Sequence, residues 1–490
     1  MKKRILCLVL VMLLILPLLA GCKNEDGNEG GESTITETST EDKTTAYVRE
    51  KFAGINYNGE SFRILAISPG EHYQSFAGEE CTEIWYEEDS ADPLQHAVFT
   101  RNLLTEDLLN ITLKPLWGGT YRDVSEMAKT LVKSGSDDAD LIHNAHCDNI
   151  AMAMENNFYN LYDIDSVDLS EVWWDQNYVD TFTIKNHCLS VITGDLLTMD
   201  DYSTPVLFYN KNVIDNFNLD DPADYVEDGT WTLNKMMTLA QMATSDTSGD
   251  GKMDENDSWG LLDNGYSLSH FISGCDAPLT KTDEEGMPMV AIDQETFLNA
   301  VQAVFDKVSM SPSYLNADNG TDVDIMKDDR GLFYYELLGG IYNFRDMESD
   351  FSLLPLPKLD ENQQNYTSVA NGVWCLTVAI PITVKDVEKA GTILSVLGGM
   401  STDTVDKTLN EIVLGPKLFR EKRTVDMFEY CVNSRTFDWA NGISWANPIY
   451  SAISEQEQNS TFTFASALQR NIKVIKAQLK RFILTYKTDN

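Results

Sequence analysis

The sequence predicts an α/β protein built as more than one lobe. Three observations carry this expectation. Between Phe62 and His143, apolar runs of strand length alternate with runs of helical spacing. A β-α-β-α-β order with short connections makes a sheet flanked by helices. A second series of such elements runs from Cys188 to Leu397, and the chain has 490 residues, whereas a single hydrophobic core rarely grows past ~300.

The elements follow in order. Residues 62–67 form a short apolar run that reads as a buried strand. Residues 95–110 place Val98, Phe99, Leu103, Leu104, Leu108 and Leu109 close to helical spacing, and 111–117 returns as a strand. Residues 121–133 put Val124, Met127, Ala128 and Leu131 on one helical face, with Gly135 just past the end. Residues 140–143 are again a strand. In the second series, 188–193 and 205–210 read as strands, and 232–243 as a helix with Thr232 as its N-cap. Residues 295–310 carry an apolar stripe of Phe297, Leu298, Val301, Val304, Phe305 and Val308, the mark of an amphipathic helix. Strands are expected at 331–338, 351–356 and 374–380, and a helix at 384–397 that stops at Gly398. No internal repeat is present.

At the start, Lys2, Lys3 and Arg4 precede an apolar run over 5–18, and small residues follow. That is the order of an export signal. The run is short for a bilayer span, and no later run is longer. The stretch Leu19-Ala20-Gly21-Cys22 resembles the lipobox of bacterial lipoproteins. The resemblance implies a signal peptide over 1–21 and lipidation of Cys22, which places the chain on the outer face of the cell membrane and excludes cytoplasmic functions. Residues 23–45 are mostly Asn, Glu, Asp, Gly, Ser and Thr, too little apolar surface to offset ordering. A disordered acidic tether is therefore expected over 22–58, holding the folded part roughly 25–30 Å from its anchor.

Acidic residues number 77 against 37 basic ones. Such a balance repels phosphate backbones and excludes nucleic acid as a partner. It also repels anionic head groups, so the anchor must be the lipid. Cys81, Cys147, Cys188, Cys275, Cys375 and Cys431 are scattered without a CxxC pair, which argues against a zinc or thioredoxin-like site. Export permits disulfides, but several of these residues lie in apolar stretches and read as buried free thiols.

Asp246 opens a run shaped like an EF-hand loop. Asp246, Ser248 and Asp250 stand at positions one, three and five, Gly251 at six, Lys252 at seven, Asp254 at nine and Asp257 at twelve. Asp257 replaces the usual bidentate Glu, and Ser248 is a neutral ligand. The loop reads equally as a structural calcium site bracing a lobe surface or as an acidic turn. No other cofactor is expected.

Several stretches together resemble family 1 extracellular solute-binding proteins, the maltose-binding-protein-like lipoproteins of bacterial ABC importers. They are Leu207-Phe-Tyr-Asn210-Lys211, Asp228-Gly-Thr-Trp231-Thr, the Asp246–Asp257 loop with Trp259-Gly260-Leu261, Gly331-Leu-Phe-Tyr-Tyr-Glu336 leading to Leu354-Pro-Leu-Pro357-Lys358, and Ala379-Ile-Pro381 before Lys385-Asp386. Trp173-Trp174-Asp175 adds to them. The resemblance implies a two-lobed periplasmic-binding-protein-like fold of type II, each lobe a mixed sheet flanked by helices, with the ligand cleft between the lobes. It implies a first lobe over 59–190 and 318–358, a second over 191–317 and 359–490, a carbohydrate ligand, a permease partner and a monomeric chain.

By that resemblance, Asn144 and His146, at the end of the Leu141-Ile142 strand, are polar sugar contacts. A satisfied structural histidine is the competing reading. A flat ring can cover the apolar face of a pyranose while amides and carboxylates meet its hydroxyls. The aromatic candidates are Trp85, Trp117, Tyr202, Tyr335, Trp374, Trp439 and Trp445, with Asp201, Glu336 and Asn371 as their polar partners. Trp445 is favoured as the cleft floor, since Gly442 and Pro448 set it in or beside a loop. Two other classes compete. A secreted lipoprotein glycoside hydrolase needs a carboxylate pair, which so acidic a chain always offers. A carbohydrate-binding surface protein without transport would more often show repeats. No nucleophile elbow, P-loop or HExxH motif appears.

Overall fold

The structure is a computed structural model and describes residues 42–72, 82–185, 187–263, 265, 267–292, 295–317, 320–344, 346–413, 422–442, 447–457 and 463–487. The described residues begin with α1 (Lys43–Lys51), β1 (Glu60–Ala66), α2 (Pro93–Leu109), β2 (Ile111–Trp117), α3 (Tyr121–Ser134), β3 (Leu141–Ala145), α4 (His146–Ala153), α5 (Gln176–Phe182) and α6 (Met199–Tyr202). It then runs through β4 (Pro205–Asn210), α7 (Leu233–Ala243), β5 (Trp259–Asp263), α8 (Ser267–Gly274), β6 (Thr280–Thr282), β7 (Pro288–Val290), α9 (Glu295–Val304), β8 (Tyr314–Asn316), α10 (Thr321–Lys327), β9 (Gly331–Leu337), β10 (Phe351–Leu354) and β11 (Ser368–Val369). After these come β12 (Leu376–Ala379), α11 (Val387–Ser401), α12 (Lys422–Asn433), β13 (Arg435–Thr436), α13 (Trp439–Gly442), α14 (Asn447–Glu457) and α15 (Phe464–Lys487).

Two mixed sheets define two α/β lobes. The first has the order β12-β3-β1-β2 and the second β10-β4-β9-β5-β8. In the first, β1 pairs in parallel with β2 and β3, and β12 closes the edge antiparallel to β3. In the second, β5, β8 and β9 are parallel, while β4 runs antiparallel between β9 and β10.

Local chemistry explains the helix limits. Asp92 accepts from the amides of Leu94 and Gln95 ahead of α2, and Pro93 occupies its first turn. Thr120 and Asp123 form a reciprocal capping box at the start of α3, and Gly135 ends it at φ 68°. Thr232 caps α7 as expected.

The structure corrects several boundaries. The tether expected to reach residue 58 ends earlier, because α1 is a helix that buries Val48 completely against α11. Helix α11 does not stop at Gly398 but continues to Ser401. Its two glycines serve packing: a Cβ on Gly398 would lie 2.5 Å from Trp173, and one on Gly399 2.4 Å from Val48. Residues 188–193 make only isolated bridges, Ile184 to Cys188 and Ile192 to Val378. The return to the first lobe expected over 318–358 is also misplaced. Strand β9 lies between β4 and β5 and β10 pairs with β4, all in the second sheet. The strand that returns to the first sheet is β12, and the bridge from Ile192 to Val378 holds residue 192 against it. Hydrophobic periodicity shows that a segment is a strand but not which sheet receives it.

The chain therefore crosses between lobes more than once. It crosses at Ser203–Thr204 on the way out and near Asn371 on the way back, and the Asn371 amide donates to the Ser203 carbonyl at 3.1 Å. A third link lies at β13 and α13. There Trp439 Nε1 donates to the Thr181 carbonyl beside α5, while Asp438 accepts from the amides of Leu279 and Thr280 next to β6.

Candidate functional site

In the first lobe, β1, β2 and β3 are parallel, so their C-terminal ends open on one side, the side on which open α/β sheets carry ligands. The loops there are locked together. The Ser68 amide donates to the Gly119 carbonyl and the Gly119 amide to Ser68 Oγ, each at 2.9 Å. Beside them His72 packs 4.8 Å from the ring of Trp374 and edge-on to Tyr121 at 5.8 Å. Burial pushes the His72 imidazole down to about 4, so the ring is neutral at physiological pH.

The Asn371 side chain fixes Trp374. Its carbonyl oxygen accepts from the amides of Val373 and Trp374 at 3.0 and 3.2 Å. Its backbone reaches Ser203, next to Tyr202, whose hydroxyl shares a hydrogen bond of 2.8 Å with Tyr342. The chain thus builds an aromatic and amide seam across the lobe crossing: Tyr121, His72, Trp374, Asn371, Ser203, Tyr202, Tyr342. Trp374, Tyr121 and Tyr342 are half-buried, and Trp117 and Val373 are exposed near its first-lobe end. Half-buried rings with polar edges suit a ligand that has both an apolar face and hydroxyls.

Three of the residues chosen from sequence, Tyr202, Asn371 and Trp374, come together in this seam, where Tyr202 is 1% exposed and supports it from the interior. The others divide. Asn144 is fully buried and donates to Ser125 Oγ at 2.9 Å, which in turn donates to Asp148. His146 is 2% exposed, bonded through Nδ1 to the Tyr178 hydroxyl at 3.0 Å and packed on Phe182. Burial lowers its imidazole to about 3. Both are interior groups of the first lobe, and His146 is a buried histidine bonded through Nδ1 while its Nε2 meets no hydrogen-bond partner among the described residues. Trp439 is likewise buried, with its indole N–H on Thr181.

Tyr335 and Glu336 point to opposite faces of β9, as successive strand residues must. Tyr335 is buried against His270 and Phe271 of α8, with its hydroxyl on His270 Nδ1. Glu336 shares its face with Tyr334 and accepts from that hydroxyl at 3.3 Å. Burial pushes its carboxyl up to about 7. Trp85 is half-buried beside Glu83, and Glu83 is buried and pinned by His143 Nε2 at 2.9 Å and by the amides of Thr198 and Met199. Asp201 is bound to the Arg435 guanidinium, which also meets Asp175 at 2.6 Å and Asp200 at 4.0 Å. Trp445 and Cys22 lie outside the described residues.

His72, Tyr121 and Tyr342 were missed from sequence. Nothing near them in the chain separates them from core aromatics, and only the tertiary contact of residues 72 and 374 does so.

The Asp246 loop keeps the expected shape. Gly251 turns at φ 84°, and Asp257 is fully buried. Its carboxylates, however, face the loop's own amides. Asp246 accepts from Gly249 and Gly251, Asp250 from Lys252, Asp254 from Asn256, and Asp257 from Ser248 and Asp254. Among the described residues no three acidic, His or Cys groups converge as metal ligands.

No family model matches the chain, and no curated protein sequence matches it. Solved structures do. A cyclo/maltodextrin-binding protein complexed with maltotetraose aligns with TM-score 0.57 at 12% identity, covering 86% of this chain and 97% of its own. An ABC substrate-binding protein from Listeria monocytogenes in complex with cycloalternan aligns with TM-score 0.54 at 12% identity, covering 86% and 99%. An ABC transporter solute-binding protein from Thermotoga lettingae bound with α-D-tagatose aligns with TM-score 0.52 at 14% identity, covering 86% and 100%. At these identities the likeness is one of fold, and the fold of this chain is that of the two-lobed solute-binding proteins.

Proposed function

We propose that the chain captures a carbohydrate, an oligosaccharide by preference, between its two lobes and delivers it to an ABC permease, held to the outer face of the cell membrane through lipidated Cys22. The observation that carries the reading is the seam from Tyr121 to Tyr342. It joins half-buried rings with amides and hydroxyls where the chain crosses between lobes, within a fold shared with proteins solved on sugars. Among the described residues no helix is long and apolar enough to cross a membrane.

The test is calorimetric titration with maltotetraose, cycloalternan and tagatose. Trp374→Ala should weaken the binding of whichever sugar is taken by roughly tenfold to a hundredfold, the scale of losing one large apolar face. The fold should survive, since Trp374 is only partly buried. Unchanged affinity in the variant would move the site away from the seam. Glu336, with its raised carboxyl, is a feature a glycoside hydrolase would share. Recovery of the bound oligosaccharide uncut separates the two readings.

A further inference from the structure

One segment breaks the acidic character of the chain. From Gln458 to Thr488 there is no Asp or Glu, and within it α15 carries six cations: Arg470, Lys473, Lys476, Lys480, Arg481 and Lys487. The helix is amphipathic. Phe464, Ala467, Leu468, Ile475 and Leu479 are buried, with Phe464 against the ring of Phe297 at 6.1 Å. Arg470, Lys473, Lys476, Lys480 and Arg481 are exposed, with Val474 among them at 54% exposure. At ~100° per residue these cations occupy an arc of roughly 140° opposite the buried stripe.

We propose that this face of α15 docks on an anionic phospholipid surface, so that the protein is held against its membrane by charge as well as by its anchor. The proposal rests on the membrane-tethered reading for its biology, but its physics is local. Charges farther than ~8–10 Å are screened at physiological salt, so acidic residues beyond that range weigh little against a basic stripe of this density. The acidic remainder instead disfavours every other orientation, and the basic face is the one that can approach. Each Lys or Arg near an anionic leaflet contributes on the order of 1 kcal/mol.

The experiment is vesicle flotation of the mature chain from Lys23 onward, which lacks both the basic and apolar start and Cys22, on phosphatidylcholine alone and on phosphatidylcholine with phosphatidylglycerol. Leaving out Cys22 removes the anchor from the readout, so failure of the lipidation reading and failure of this one are distinguishable. The chain should prefer the phosphatidylglycerol vesicles, and Arg470→Glu/Lys473→Glu/Lys480→Glu should weaken that binding by at least ~tenfold. Lys114→Glu/Lys133→Glu, on exposed first-lobe positions, should leave it unchanged. Circular dichroism should be the same for all three proteins, because every substituted residue is exposed. Equal binding by the α15 variant and its parent would overturn the assignment and leave the face to an acidic protein surface. So would an equal loss in the first-lobe control.

Discussion

Two carboxylate-rich places in this molecule hold their charge in opposite ways. Between Asp246 and Asp257 the carboxylates are met by backbone amides of the loop itself, while from outside it the Arg330 guanidinium donates to the Glu255 and Asp257 carbonyls. Around Arg435 the carboxylates come from far apart in the chain. Asp175, Asp200 and Asp201 face one guanidinium in a buried setting, and Asp195 and Asp406 feel the same group. The first cluster can stand without a cation. The second depends on one, because buried charge without a counter-ion is costly.

The largest way to break this comparison is to remove the cation. Arg435→Met leaves three carboxylates buried around an apolar side chain, and urea unfolding near neutral pH should show a loss of ~3–5 kcal/mol. A loss under ~1 kcal/mol would mean that solvent already serves those carboxylates. The matching change in the loop should cost less. Asp257→Asn keeps one acceptor but turns an NH2 toward an amide donor, an expected cost of ~1–2 kcal/mol. If both variants lost the same amount, the contrast between local and distant partners would be empty.

A finer test uses pH. Burial pushes Asp406 up to about 8 and Asp195 to about 6, both above the ~3.9 of an unfolded Asp. The folded state then holds protons that the unfolded state releases. The contribution is complete below about pH 4 and is lost as pH rises through the folded values. Stability should therefore fall from about pH 5 to about pH 8, by up to ~1.4 kcal/mol per pH unit for each proton retained, and Asp406→Asn should flatten the slope. An unchanged slope in the variant would place the titration elsewhere. The smallest expected effect is that of calcium. With its carboxylates on amides, the loop should show no rise in Tm at millimolar calcium, and a rise that Asp250→Ala abolishes would make it a cation site.

These clusters also mark what could be seen in the sequence. The loop was legible because the partners of its carboxylates lie within twelve positions. So were Gly135 and Thr232, whose hydrogen bonds close within a turn of helix. Asp201 looked like a free polar group for a cleft, but its partner Arg435 is 234 positions away. His146 and Asn144 looked like cleft contacts because polar residues at a strand end are commonly exposed. Here Tyr178 and Ser125 fold over them. Trp374 and Asn371 were legible together because the Asx turn that joins them is local, while His72, which completes the stack, sits some three hundred positions earlier.

The links between the lobes have a mechanical consequence. Two outgoing and returning strands are stitched at Ser203 and Asn371, and a third segment is clamped at Asp438 and Trp439. Two fixed points define a line. Twist about any other direction would break one of the ties, so rotation about that line is the softest relative freedom left to the lobes. A lever needs little rotation: about 10° around such a line carries a point ~30 Å away through ~5 Å. The seam runs beside the Ser203 end of the line, where displacement is smallest. Its rings would therefore keep their spacing while the far rims of the lobes travel.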